Sequence, residues 1–98
     1  MTFIQTISFV ARDEDQLTTL MDEWDKDTPN APGFRRAWVL KDRDRPDAYL
    51  ISAEFSSHDE AMKNSSRPET DAMAKKLFAI VDGKVEYHNY ELIRGEDS

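Results

Sequence analysis

The order of the hydrophobic patterns constrains this chain more than any other feature. Phe3–Val10 carries apolar residues at a spacing suited to a strand, and Asp13–Asp27 repeats them at helical spacing. Phe34–Lys41 and Ala48–Phe55 predict two successive strands, Ser57–Val81 predicts helix, and Val85–Ile93 predicts a last strand. A β-α-β-β-α-β order within 98 residues is the split β-α-β, or ferredoxin-like, arrangement. It is an α+β fold: a four-stranded antiparallel sheet with its helices on one face. A chain of this length supports one modest core, so a single domain over residues 1–98 is expected.

Turn and cap residues fall where that order needs them. Asp13 predicts an N-cap, with Gln16 three residues on. Leu17, Leu20, Met21 and Trp24 then share one helical face, while Glu14, Asp15, Asp22, Glu23 and Asp25 lie opposite. The two prolines and the glycine of Thr28–Gly33 end this helix. Asp42–Asp47 is a polar loop of the kind that joins hairpin strands. Ser57 and Glu60 open a short helix over Asp59–Asn64, and Ser65–Arg67 interrupts it before Pro68, which suits the first turn of another. Asp82 and Gly83 stop that helix.

Strand alternation leaves a surplus of apolar surface. Phe3, Ile7 and Phe9 share a face with Gln5, and Ile4 and Val10 take the other. Tyr49, Ile51, Ala53 and Phe55 oppose Leu50, Ser52 and Glu54. Simple alternation groups Phe34, Arg36, Trp38 and Leu40 against Arg35, Ala37 and Val39, and Val85, Tyr87 and Ile93 against Tyr90 and Leu92. Helices on one side cover one apolar face only. The second face calls for a cover, and a second copy of the same sheet supplies it as an isologous homodimer. Trp38 is expected in that sheet-to-sheet core.

Composition narrows the function. A net charge of −7 argues against nucleic acid and anionic membrane as partners, because both reward basic surface. Without cysteine there is no disulfide framework or thiolate nucleophile. His58 and His88 stand in no metal-ligand spacing, so no metal is expected. Residues 3–10 are too short and polar for a signal peptide, and no apolar run approaches a membrane span, so a cytoplasmic location is expected. The serines fit caps and loops rather than a nucleophile elbow. Gln5 stands out, because an amide among Phe3, Ile7 and Phe9 needs a partner or a ligand.

Three segments carry a family resemblance: Asn30–Phe34 before the second strand, Tyr49–Phe55 in the third, and Ser57–Ala61 after it. With them the chain, from Phe3 to Ile93, resembles the antibiotic-biosynthesis-monooxygenase type (ABM domain) of the dimeric α/β-barrel proteins. The resemblance implies a barrel closed between two sheets of a homodimer, and a pocket between each sheet and its helices. It also implies an oxygenase without a cofactor, acting on an aromatic or quinol-like molecule, or a non-catalytic binding protein of the same fold. On this reading Gln5 and Asn64 are the catalytic hydrogen-bonding residues, and Trp38, Met62, Met73 and Leu77 the substrate-binding walls around a small aromatic or apolar ligand. The haem-degrading branch places an asparagine, a tryptophan and a histidine where this chain has Gln5, Ser65 and Met73, so haem degradation is disfavoured.

Overall fold

The computed structural model describes residues 1–95. Strands β1 (Phe3–Val10), β2 (Phe34–Lys41), β3 (Ala48–Phe55) and β4 (Glu86–Glu91) form one open antiparallel sheet in the order β2-β3-β1-β4. Helices α1 (Glu14–Asp27), α2 (His58–Ser65) and α3 (Pro68–Ile80) accompany it. This is the ferredoxin-like architecture expected. The last strand is shorter than the apolar pattern suggested, because β1 supplies partners only as far as Phe3, which pairs with Glu91. One more bond, Leu92 N–H to the Thr2 carbonyl at 2.9 Å, closes the ladder.

The caps act as their chemistry dictates. Asp13 accepts from the Gln16 N–H at 3.1 Å, and Ser57 from the Glu60 N–H at 3.2 Å. After α1 a single 3₁₀ turn, Thr28–Asn30, leads to Gly33. Gly33 has φ of 66°, and a Cβ there would lie 2.4 Å from that of Glu60, so a side chain is excluded on both grounds. Glu14 in the first turn of α1 accepts from Lys41 Nζ at 2.9 Å and from the Tyr49 hydroxyl at 3.1 Å, tying helix to sheet.

Strand β2 departs from simple alternation. A register irregularity between Phe34 and Arg36 shifts its phase by one residue. Phe34 therefore packs with Phe55 and Ala61 on the helix side, the side that Ala37 and Val39 also reach, while Trp38 and Leu40 turn to the open face. Grouping Phe34 with Trp38 is thus corrected: the bulged residue, not the pattern, sets the face. On the open side Trp38, Leu40 and Tyr90 stand about half exposed. Arg36 bonds the buried Glu54 carboxylate at 3.2 Å and lies 5.5 Å over the Trp38 ring.

Candidate functional site

Cross-strand register divides the helix-facing side of the sheet into rows. One row runs Phe34, Phe55, Phe3; the next is Ala37, Ala53, Gln5, Asn89; the next is Val39, Ile51, Ile7, Tyr87. The core follows these rows. Phe3, Phe55 and Ala61 form one buried cluster, and Ile7, Phe9, Leu17, Leu20, Tyr49, Ile51 and Leu77 form a second. Between them lies the row of Ala37, Ala53 and Gln5, two of whose side chains are single methyl groups. The result is a cavity of ≈ 500 Å³, within the range of small-molecule sites.

Each layer contributes to this cavity. Ala37, Ala53 and Gln5 line its floor, and Phe34, Phe55, Val39, Ile51 and Ile7 flank that row. Trp24 and Met21 come from α1, Ala74 and Thr70 from α3, Tyr87 from β4 and Asn64 from α2. Asp25, Asp27 and Asp71 supply carboxylates; Asp27 pairs with Arg67 and Asp71 with Lys75. Among the described residues no lysine, arginine or histidine lines the space. Burial pushes the Tyr87 hydroxyl above its ordinary 10.0, so at neutral pH it keeps its proton and can donate it in a hydrogen bond.

The amides differ in their ties. Gln5 Nε2 donates to Asn89 Oδ1 at 3.2 Å, a side-chain partner across the β1–β4 ladder. Asn64 sits in the last turn of α2, where Ser65 and Ser66 hydroxyls bond back to the carbonyls of Ala61 and Met62. Pro68 holds the preceding residue extended, with ψ of 137° at Arg67, and breaks the chain between α2 and α3. There the Arg67 guanidinium bonds Asn64 Oδ1 at 3.1 Å and Asp27 Oδ1 at 2.8 Å. Thr70 Oγ1 adds a second bond to Asn64 Oδ1 at 3.0 Å.

The structure brings Gln5 and Asn64 to one cavity and leaves the four wall residues outside its lining. Trp38 is on the opposite face of the sheet, set by its pairing with Ser52, on the side where a sheet-to-sheet contact was expected. Met62 packs on the Phe3 cluster, Met73 packs on the main core, and Leu77 is fully buried within it. Aromatic lining comes from Trp24, Phe34, Phe55 and Tyr87. Trp24 was legible as a core-face residue of α1; it packs on the edge of the main cluster and also lines the cavity. Nothing local in the sequence marked Tyr87 or Thr70.

No protein-family model matches the sequence, and a search of curated proteins finds no match. Solved structures match it in fold. SnoaB, a cofactor-independent oxygenase from Streptomyces nogalater, superposes with a TM-score of 0.81 at 18% identity, over 96% of this chain and 94% of its own. A candidate antibiotic biosynthesis monooxygenase from Caulobacter crescentus gives 0.83 at 10% identity, over 95% and 91%. A dimeric ferredoxin-like protein of unknown function from a Jannaschia species gives 0.76 at 14%, over 92% and 99%. The chain therefore has the fold of proteins named antibiotic biosynthesis monooxygenases.

Proposed function

We propose that the protein is a cytoplasmic, homodimeric monooxygenase that needs no cofactor and acts on an aromatic or quinol-like molecule held between sheet and helices. The observation that carries this reading is the ≈ 500 Å³ cavity, walled by aromatic and aliphatic side chains and furnished with Gln5, Asn64 and Tyr87. An electron-rich ring can supply the electrons for dioxygen itself. When an activated CH₂ becomes C=O, one oxygen atom enters the product and the other leaves as water. The protein's task is then to bind the ring, exclude bulk water and stabilise charge developing on its oxygen through fixed donors. Dimerisation through the open face would cover Trp38, Leu40 and Tyr90.

The test is oxygen incorporation. With naphthohydroquinone and isotope-labelled dioxygen, the protein should place one labelled atom in the organic product at a rate above the protein-free control. Oxidation without label in the product would refute the monooxygenase reading. A second reading, a non-catalytic small-molecule-binding protein of the same fold, is favoured by one observation: among the described residues no histidine reaches the cavity to take a phenolic proton. Saturable ligand binding without incorporation would select it.

A further inference from the structure

We propose that Arg67 and Thr70 are positioning residues that lock the Asn64 amide so that its N–H₂ group is offered to a neutral oxygen acceptor of the ligand. This rests on the functional reading above in placing a ring ligand in the cavity. A guanidinium has donors only, so the Asn64 atom facing Arg67 must be the carbonyl oxygen. That oxygen accepts from Arg67 Nη1 at 3.1 Å and from Thr70 Oγ1 at 3.0 Å. Arg67 is itself held by Asp27 at 2.8 Å, with side chains only 17% and 18% exposed. A planar amide anchored at its oxygen has no freedom to flip. Asn64 lines the cavity, and with its oxygen engaged the group it has left to offer a ligand is Nδ2, with two N–H donors.

The chain Asp27–Arg67–Asn64 joins the end of α1 to the break between α2 and α3, so the donor is braced by two elements. The ligand chemistry follows from the same geometry. With amide and hydroxyl donors and, among the described residues, no basic side chain in the lining, the cavity suits a carbonyl or phenol oxygen. A carboxylate or phosphate would meet the carboxylates of Asp25, Asp27 and Asp71 instead.

The oxidised probe naphthoquinone, which cannot be turned over by oxygenation of a quinol, separates this proposal from the catalytic one. Its binding can be read by quenching of Trp24, which lines the cavity. Asn64→Asp keeps an acceptor for Arg67 and Thr70 but removes the donor, and should weaken naphthoquinone at least tenfold while the protein still melts cooperatively. Thr70→Val should weaken binding several-fold and shift the Asn64 side-chain amide resonances in nitrogen-15 NMR spectra, and Thr70→Ser should restore both. Naphthoquinone should bind more tightly than naphthoate. Unchanged affinity in Asn64→Asp, unchanged amide resonances in Thr70→Val, preference for naphthoate, or no saturable naphthoquinone binding by the wild-type protein would each overturn the proposal. Failure of oxygen incorporation with these effects intact would refute only the oxygenase reading.

Discussion

If the open face of the sheet joins two copies, Leu40→Ala should loosen the dimer by about 2 kcal/mol. Leu40 pairs in register with Leu50 and is 47% exposed on that face. Full burial of a leucine contributes about 1.5–3 kcal/mol, so covering the exposed half contributes about 1 kcal/mol. Two-fold symmetry puts the substitution on both sides of the interface and doubles the loss to about 2 kcal/mol. At 1.4 kcal/mol per factor of ten, that is a dissociation constant raised roughly thirtyfold. Phe78 is the matched control: it has the same 47% exposure but belongs to α3, not to the sheet. Sedimentation equilibrium at micromolar concentration should give about twice the 11.3 kDa chain mass for wild type and Phe78→Ala, and a concentration-dependent average for Leu40→Ala. A wild-type monomer, or equal weakening by both substitutions, would show that the open face does not join two copies.

Three further outcomes are expected. Leu77→Ala should destabilise by about 3 kcal/mol, because Leu77 is fully buried in the main cluster; thermal melts should fall by roughly 12–24 °C, and a change of a few degrees would contradict its central place. Gln5→Leu should leave the melting temperature nearly unchanged, since Asn89 is exposed and water can replace its lost partner, yet weaken a quinone ligand about tenfold, the scale of one hydrogen bond; lost stability with unchanged affinity would remove Gln5 from the site. The third concerns pH. Hydrogen bonds from Lys41 and Tyr49 lower the Glu14 pKa below its ordinary 4.5, so its contribution is complete above that value and fades as pH falls through the lowered one. Glu14 raises Lys41 above 10.5, and burial, then Glu14, raises Tyr49 above 10.0, so their contributions are complete below those values and fade as pH rises past the raised ones. Glu14→Gln should therefore flatten the acid limb of a plot of melting temperature against pH and part of the alkaline limb, since burial of Tyr49 remains, and an unchanged profile would show that the cluster contributes nothing.

The order and type of the elements follow from local patterns in the chain. Period-two and helical spacings are local properties, and Asp13, Ser57 and Pro68 act on backbone groups a few residues away, so they mark boundaries without reference to the rest of the chain. Gln5 was legible for the same reason, as an amide in an apolar face. The tertiary structure decided what stood across from what. One bulge in β2 turned Phe34 toward the helices while Trp38 stayed on the open face, and alternation alone cannot register an extra residue. Pairing of Ala37 with Ala53 and Gln5 opened the gap between two core clusters, and that adjacency exists only once three strands align. Met62, Met73 and Leu77 have helical spacing suited to a pocket wall or a core, and only packing distinguishes the two. Asn64 acquires a direction because Asp27, 37 positions earlier, meets Arg67, three positions later. Such long-range contacts carry no local signature, since hydrogen-bond geometry is fixed by where the elements come to rest.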